Sequence, residues 1–305
     1  MIFKQVALLI FSTFIFFMGL IFQNPQPAYA QTVPESEPIS VLFWNLESSG
    51  NDPSVIANQI IDLVDDKGTF DLVGLSEVRE INSNLYIQSL GTNFAGIVSE
   101  SGGADRMVIG VNLDRFDILR TSELIEFDNI ALNFFANGGN LRFRSPFFAI
   151  LRDKESSENL LFMVNHLARN DGGDGNGGFR EQQAQGLVAW ADAQSLPIIM
   201  GGDLNLDYNF VNEEGNLAFS IIFGDDDSDD LEYRWIRPAP LVDTNHSGNG
   251  NQDTFPNSIL DFVTVANFPA DWSVSESEVI VRPGDFPDNS RTSDHRPVFA
   301  VFQVD

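Results

Sequence analysis

The sequence predicts an α/β fold in a single domain, with two packed β-sheets flanked by helices. Short apolar runs typical of buried strands recur along the chain, and few helical patterns lie between them. Hydrophobic residues make up 43% of the 305 residues, which is enough to form a large core. The chain has neither an internal repeat nor a clear linker between these runs. Together, these observations favour one large domain over two smaller ones.

The first 30 residues predict a secretory signal peptide. Lys4 is their only charged residue, residues 6–22 are almost wholly apolar, and Ala28 and Ala30 form a small-residue cleavage site. We expect cleavage after Ala30 to leave a secreted or periplasmic protein with no stable membrane association. The alternative is an uncleaved membrane anchor, although 17 apolar residues are slightly short for a membrane span.

The remaining chain is interpreted as a short polar linker, residues 31–37, followed by the domain, residues 38–305. Eight apolar runs in the domain have the length and composition of buried strands. They are residues 39–46, 70–78, 106–113, 147–153, 159–167, 196–202, 258–265 and 296–304.

Two segments have the pattern of helices. Residues 53–68 carry apolar side chains at helical spacing, with Asp52 or Ser54 as the N-cap and Gly68 as the stop. A second helix is predicted over residues 180–194.

Two segments between these elements predict loops. The glycine-rich segment 169–179 is interpreted as a mobile loop beside a site. The acidic run 225–230 is interpreted as a solvated loop.

Charge and cysteine content restrict the function. The chain has 44 acidic and 17 basic residues, a net charge of −27, and no cysteine. Disulfides and zinc sites built on thiolates are therefore excluded. Such a surface repels polyanions at long range and attracts divalent cations, which counts against tight nucleic-acid binding. It does not exclude a hydrolase that meets a phosphate locally through a metal ion.

Polar residues recur where the apolar strands end. They are Asn45, Glu77, His166, Asp203, Asn205, Asp294 and His295. Each alone is typical of a strand cap or a turn, but together they predict a functional site. Two of the three histidines in the chain belong to this set, and the third, His246, is interpreted as structural or merely exposed.

The residue types suit phosphate chemistry at a metal ion. Carboxylates such as Glu77 and Asp294 are ligands of hard divalent cations, which keep open positions for water and a substrate phosphate. A neutral carboxamide, at Asn45 or Asn205, binds a phosphate oxygen without repelling it. Asp203 is suited to orienting an attacking water, and a histidine to acid–base work near neutral pH.

Six motifs occur in the order found in one enzyme superfamily. They are "FWNL", "SEV", "VNHL", "GGDLNLD", "ILDFV" and "SDHRPV". On these motifs residues 38–305 resemble the endonuclease/exonuclease/phosphatase superfamily, the fold of pancreatic deoxyribonuclease. The resemblance implies a four-layer αββα sandwich, with two stacked mixed sheets and the site in a cleft at their shared edge.

The resemblance also implies roles for the motif residues. Glu77 resembles the principal metal ligand, and Asn45 and Asp294 complete the metal and phosphate neighbourhood. Asp203 resembles the residue that orients the attacking water, with Asn205 on a phosphate oxygen. Gly201 and Gly202, which precede them, are expected to let the phosphate approach closely.

The histidines and their partners follow from the same resemblance. His295 resembles the histidine at the scissile phosphate, and Asp261 the carboxylate that holds its other nitrogen. His166 matches the second histidine of the deoxyribonuclease branch, which is paired with an acid at the position of Asp105.

Arginines are the other candidates for phosphate contact. Arg144 resembles an arginine that contacts the phosphate backbone, unless it is a strand-edge arginine paired with an acid. Arg106 and Arg142 are weaker candidates of the same kind.

We therefore expect a secreted, monomeric phosphoesterase that uses Mg²⁺, with Ca²⁺ or Mn²⁺ as substitutes, and cleaves phosphodiesters of DNA or RNA. The alternatives are a sphingomyelinase-like phospholipid esterase, with residues 130–139 as its membrane segment, or a sugar-phosphate esterase. A catalytically silent binding module of the same fold is the third.

Overall fold

Two β-sheets of six strands each lie at the centre of the computed structural model, which describes residues 37–124, 144–169, 178–224, 233–247 and 253–304. All of these residues belong to one compact unit, Ser36–Asp305. The strands of the first sheet are β1 (Ile39–Asn45), β2 (Leu72–Val78), β3 (Phe94–Val98), β4 (Arg106–Asn112), β11 (Ser273–Val279) and β12 (Val298–Gln303). Those of the second are β5 (Phe116–Glu123), β6 (Phe147–Asp153), β7 (Asn159–His166), β8 (Ile198–Asn209), β9 (Arg234–Trp235) and β10 (Ser258–Ala266).

Both sheets are mixed. Their strand orders are β11-β12-β1-β2-β4-β3 and β5-β6-β7-β8-β10-β9. Each has one parallel pair at its centre, β1 with β2 and β7 with β8, and the remaining pairs are antiparallel. Parallel strands end at the same edge of a sheet, so these two pairs determine where the polar strand ends meet.

The helices of the described residues cover the outer faces of the sheets. They are α1 (Pro53–Lys67), α2 (Glu80–Leu90), α3 (Phe179–Asp192) and α4 (Leu217–Phe223). Residues of α1 and α2 share a core with the first sheet, and residues of α3 and α4 share one with the second. A third core lies between the sheets. The predicted four-layer αββα sandwich is therefore confirmed.

Strand β1 shows how the sequence pattern builds these layers. Val41 and Phe43 lie in the core between the sheets, whereas Leu42 and Trp44 lie in the core beneath α1 and α2. Successive side chains of a strand point to opposite faces, so a strand that is covered on both faces is apolar throughout.

The ring of Phe43 lies between two glycines. A Cβ atom at Gly74 would lie 2.7 Å from Phe43 Cε1, and one at Gly201 would lie 2.5 Å from Phe43 Cδ2. At Gly202, where φ is +116°, a Cβ would meet the backbone carbonyl of Asn165. The expectation that Gly201 and Gly202 leave room for a phosphate is therefore wrong. These glycines let the two sheets and neighbouring strands approach closely.

Most predicted elements are present. Helix α1 begins at the predicted cap, because Asp52 Oδ1 accepts a hydrogen bond from Ser54 N, and it ends before Gly68, where φ is 87°. Strand β8 differs, since it continues to Asn209 and does not end at the glycines. The sequence patterns did not predict α2, α4, β3, β5, β9 or β11.

Several predictions lie outside the described residues. These are the signal peptide and most of the linker, Arg142, the segment 130–139, the centre of the glycine-rich loop and the acidic run 225–230. In the part of the chain that is described, no helix is both long and apolar enough to cross a bilayer.

Candidate active site

Five strands bring polar side chains to one edge of the sandwich. Asn45 ends β1, and the parallel register places it opposite the residue before Glu77 in β2. In the second sheet, His166 of β7 lies opposite Asp203 of β8, and Asp203 lies opposite Asp261 of β10. The two parallel pairs therefore present their ends to each other across the sandwich.

Asn45 joins the two sheets at this edge. Its Nδ2 donates to Asp203 Oδ2 at 3.0 Å and to Glu77 Oε1 at 3.3 Å, and its Oδ1 accepts from Glu47 N at 3.0 Å. Asn45 is fully buried, and Asp203 is only 2% exposed. Both amide hydrogens of Asn45 are directed at carboxylates, so Asn45 positions Glu77 and Asp203 and has no hydrogen left for a phosphate.

Glu77 lies at an irregularity of β2. The β2–β4 register shifts between Leu75 and Val78, and φ is 52° at Glu77. Left-handed backbone and bulges re-aim a side chain near functional sites. Burial and the nearby carboxylate of Asp105 raise the pKa of Glu77 above its usual value, against the hydrogen bond from Asn45.

His295 is held by Asp261, as predicted from the resemblance. The distance from His295 Nδ1 to Asp261 Oδ2 is 2.7 Å, and both side chains are buried. Burial alone would lower the pKa of His295, but the carboxylates of Asp261, Asp203 and Asp294 overcome it and raise the pKa to about 10. His295 is therefore an imidazolium at neutral pH.

Asp203 lies between the two imidazoles of the site. Its Oδ2 is 3.4 Å from His166 Nε2 and 3.8 Å from His295 Nε2. Burial raises the pKa of Asp203 to about 7, although the positive charge of His295 opposes the shift. This carboxyl group can therefore gain or lose a proton near neutral pH.

His166 stays neutral at this edge. Burial, and the positive charges of Arg144 and His295, hold its pKa well below 6.5. Its Nε2 lies 3.7 Å from Glu77 Oε1, and its buried Nδ1 has no hydrogen-bond partner among the described residues.

The predicted contact between His166 and Asp105 is not formed. Asp105 Oδ1 accepts a hydrogen bond from Ser48 Oγ at 2.5 Å, and Asp105 Oδ2 lies 3.8 Å from an Arg144 guanidinium nitrogen. Asp105 therefore lies near the site but does not orient the histidine.

Arg144 lies beside the site and has an acidic neighbour. Its Nε donates to the carbonyl of His166 at 3.2 Å, and one terminal nitrogen donates to the carbonyl of Leu167 at 3.4 Å. With Asp105 at 3.8 Å, the arginine side chain is anchored and 21% exposed. Arg106 instead pairs with Glu80 and donates to the carbonyl of Ser99.

Asn205 is fixed on both its backbone and its side chain. Its φ is 51°, and its Nδ2 donates to the carbonyl of Leu167 at 3.0 Å. Its own carbonyl accepts from Arg180 at 2.6 Å and from Asn216 at 2.8 Å. Arg180 was missed by sequence reasoning, because an arginine in the first turn of a predicted helix gives no sign that it reaches β8.

Glu47 is a further residue that the sequence patterns did not predict. Its Oε2 accepts a hydrogen bond from Asp294 N at 3.1 Å. Burial and the carboxylates of Asp294 and Glu77 raise its pKa to about 7. The available signal was its position two residues after Asn45, where the strand has just ended.

The segment before β12 is tied to β1. Trp44 Nε1 donates to the carbonyl of His295 at 2.8 Å, and Ser293 Oγ donates to the carbonyl of Asn45 at 2.6 Å. These bonds join residues about 250 positions apart in the chain and hold His295 and Asp294 at the same edge as Asn45.

The donor set fits a hard cation held by few protein ligands. The described residues contain no group of three or more histidine, aspartate or glutamate side chains that could hold a metal ion. Mg²⁺, however, is usually held by one or two carboxylates and keeps several waters. Burial raises the pKa values of Glu77 and Glu47, and nearby carboxylates raise them further, so a bound cation would stabilise the charged forms of both groups. Glu77 and Asp294 are thus suitable ligands.

Solved structures show the class of fold. The chain has the fold of endonuclease/exonuclease/phosphatase proteins. A protein of that family from Bacteroides thetaiotaomicron matches with a TM-score of 0.63 and 15% identity, over 88% of this chain and 100% of the other. No family model matches the sequence, and no curated protein matches it significantly.

Two further solved structures with the same fold are those of a protein bound to DNA and of a sugar phosphatase. D. rerio TDP2 in complex with a single-strand DNA product has a TM-score of 0.64 and 14% identity, over 88% of this chain and 100% of the other. The mannosyl-6-phosphatase Bt3783 of Bacteroides thetaiotaomicron has a TM-score of 0.59 and 16% identity, over 87% and 99%. Because the sequence identities are low, these similarities establish the fold alone and not the activity.

Proposed function

We propose that the protein is a secreted, divalent-metal-dependent phosphodiesterase that hydrolyses nucleic acid by attack of water. One observation carries this proposal. The buried carboxylate of Asp203 lies within 3.4 and 3.8 Å of two imidazole nitrogens, beside Glu77. A proton acceptor, an imidazolium and a metal-ligating carboxylate at one point are the groups that phosphoester hydrolysis requires.

In this proposal, the charge of each side chain determines its role in hydrolysis. Asp203, with a pKa of about 7, accepts a proton from the attacking water. His295, held protonated by Asp261, donates a hydrogen bond to a phosphate oxygen and balances the charge that develops there. Neutral His166 orients the Asp203 carboxylate from the other side.

A divalent cation bound by Glu77 and Asp294 would supply positive charge to the same phosphate oxygens. Positive charge at this point matters because the chain has a net charge of −27, which otherwise repels a polyanion. Arg144, anchored beside His166, supplies a further positive charge at the edge.

Nucleic acid is the favoured substrate because a structure of the same fold, D. rerio TDP2, was solved with a single-strand DNA product. Because a mannosyl-6-phosphatase has the same fold, a sugar phosphate is the alternative substrate to be tested.

The proposal of secretion rests on the pattern of residues 1–30. Cleavage is checked by sequencing the N-terminus of the exported protein, for which we expect Gln31.

Hydrolysis by the purified protein tests the proposal. Plasmid DNA, RNA, sphingomyelin and mannose 6-phosphate are compared with Mg²⁺, Mn²⁺, Ca²⁺ or chelator. We expect metal-dependent cleavage of DNA or RNA, which Asp203→Asn lowers by about 100-fold or more. Asp117→Asn is the matched control, because its side chain is 58% exposed on β5 of the same sheet.

Three other outcomes have clear meanings. Cleavage of sphingomyelin alone would establish the phospholipid alternative. Cleavage of mannose 6-phosphate alone would establish the sugar-phosphate alternative. Folded protein that is inactive on all four substrates would contradict the proposal and favour a binding module.

A further inference from the structure

A groove of about 500 Å³ lies along one side of the sandwich. It is lined by β9 and β11, the outermost described strands of the two sheets, and by residues next to them. Two arginines, Arg234 and Arg237, and two aromatic residues, Trp235 and Trp272, contribute to the lining of this β9–β11 groove. None of these four residues belongs to the candidate active site.

The walls of the β9–β11 groove are joined by hydrogen bonds. Ala239 N donates to the carbonyl of Ser277 at 3.1 Å, and Ser277 Oγ donates to the carbonyl of Ile236 at 3.1 Å. These bonds tie the segment after β9 to β11. The guanidinium carbon of Arg234 lies 4.8 Å from the centre of the Phe268 ring. A groove with such walls is largely formed before a ligand enters, which lowers the cost of binding.

The charge of the β9–β11 groove differs from that of the whole chain. Glu276 is the one acidic residue among its described lining residues, and Lys67 Nζ lies 3.1 Å from Glu276 Oε1. A second cavity, near the start of β1, is instead lined by six acidic and two basic residues. In a chain of net charge −27, the two arginines therefore make the groove a place to which an anion is attracted locally.

The guanidinium groups of both arginines are open to a ligand. Arg234 is exposed, and no carboxylate of the described residues forms an ion pair with it. Arg237 Nη2 lies 3.3 Å from Glu213 Oε1, but these side chains are 49% and 69% exposed. Because an exposed ion pair contributes little to stability, a phosphate displaces Glu213 at small cost. A guanidinium binds phosphate oxygens through two parallel hydrogen bonds.

The aromatic part of the groove favours unpaired bases. Trp235 is partly exposed, its ring packs against Tyr208 at 4.9 Å, and the Arg237 guanidinium carbon lies 5.6 Å from the ring. Proteins that bind single strands combine cations for the phosphates with aromatic rings on which bases stack. The bases of a duplex are already stacked on each other, so this combination suits a single strand.

Strand β10 connects the groove to the candidate active site. Asp261 and Thr264 both lie on this strand, and Thr264 is opposite Trp235 of β9. The step from Asp261 to Thr264 covers about 10 Å along the strand, and β9 lies about 5 Å to the side of β10. A ligand that occupies both places must therefore be several nucleotides long.

We propose that the β9–β11 groove is a second binding site for single-stranded nucleic acid, which holds the strand several nucleotides away from the bond that is cleaved. Arg234 and Arg237 bind a phosphate, and a base stacks on Trp235. This inference rests on the proposed phosphodiesterase function and adds to it a tighter hold on long, unpaired strands.

Substrate length tests the inference. The thymidine dinucleotide TpT is too short to reach the groove from the candidate active site, whereas a thymidine oligomer of about 16 nucleotides reaches both. We expect Arg234→Gln to raise KM for the long strand by about fivefold or more relative to its effect on TpT, with little change in kcat. The dependence of log KM on log salt for the long strand should fall by about 0.7, as for the loss of one phosphate contact.

Arg120→Gln is the matched control. Arg120 is an exposed arginine of β5, at the opposite edge of the same sheet and outside the groove. The two variants lose the same charge, so a general loss of attraction for a polyanion affects both equally. We expect Arg120→Gln to change the ratio of the two KM values by less than about twofold.

The contribution of the ring is measured with a second variant. We expect Trp235→Leu to raise KM for the thymidine strand more than KM for an abasic strand of the same length, because an abasic strand has no bases to stack. Hydrolysis of TpT by this variant reports that it is folded, since Trp235 also packs against Tyr208.

The outcomes separate this inference from the proposed function. Equal effects of Arg234→Gln and Arg120→Gln on the long strand, or an equal effect of Arg234→Gln on TpT and the long strand, would overturn the groove and leave the phosphodiesterase intact. Equal effects of Trp235→Leu on the thymidine and abasic strands would overturn base stacking. Hydrolysis of neither TpT nor the long strand by folded parent protein would overturn both the inference and the proposed function.

Discussion

The packing of Phe43 between two glycines gives a prediction that can be worked out from distances. In Gly201→Ala the new Cβ would lie 2.5 Å from the backbone carbonyl oxygen of Phe262 and 2.5 Å from Phe43 Cδ2. In Gly74→Ala it would lie 2.7 Å from both Phe43 Cε1 and Val164 Cγ2. Overpacking of this kind costs about 1–3 kcal/mol. For a domain of this size we expect the Tm to fall by roughly 2–12 °C.

A second substitution distinguishes the two sites. The obstacles to Gly74→Ala are side chains, so Phe43→Leu should relieve part of the clash, with a coupling free energy of about 1 kcal/mol or more in a double-mutant cycle. Gly201→Ala meets backbone at Phe262, and the same change should relieve it much less. Urea unfolding of the single and double variants measures these differences.

One result would refute this reasoning. If Gly201→Ala is as stable as the parent protein and only its kcat/KM falls, the glycine serves the approach of substrate and not the packing of the two sheets. Equal rescue of both alanine variants by Phe43→Leu would show that backbone contact at Phe262 does not matter.

Three further predictions follow from the site. Because burial and neighbouring carboxylates raise the pKa of Glu47 to about 7 from its usual 4.5, the folded protein retains a proton there that the unfolded chain releases. Stability in chelator should therefore fall as pH rises from about 4.5 to 7, and Glu47→Gln should lessen this fall in urea unfolding. Arg180→Met should lower both kcat and the free energy of unfolding, the latter by about 1–3 kcal/mol, because it removes a buried donor to Asn205; Asp207→Asn, at a side chain 53% exposed, should change the unfolding free energy by less than about 1 kcal/mol. Asp261→Asn should change kcat by a larger factor than KM, lowering kcat, and should shift the pH profile of kcat, because it removes the carboxylate that keeps the imidazole of His295 charged. An unchanged pH profile of kcat in Mg²⁺ would contradict this role of Asp261.

The central strands could be predicted from the sequence because they are buried on both faces. Strand β6 has the predicted bounds, and β7 differs by one residue, since apolar runs covered on both sides leave little ambiguity. Among the described strands, the missed strands β5 and β11 lie at sheet edges, where each pairs on one side only and many side chains are exposed. A polar run such as Ser273–Val279 carries no signal of burial.

The candidate site was predictable to the extent that its residues end central strands. The contact between Asp261 and His295 could be inferred from a resemblance and is formed at 2.7 Å. The partner of Asp105 could not be inferred, because local geometry decides which of several nearby donors a short side chain contacts. In the structure, Asp105 contacts Ser48 and Arg144.

The bonds between β1 and the segment before β12 have a consequence for the newly made chain. Asn45 is among the first residues of the domain to leave the ribosome, and His295 is among the last. Until the final strand has paired with the first, Asp203 has no imidazolium beside it and the edge is incomplete. A growing chain therefore lacks the assembled site during synthesis, and the proposed activity requires the two ends of the domain to close on each other.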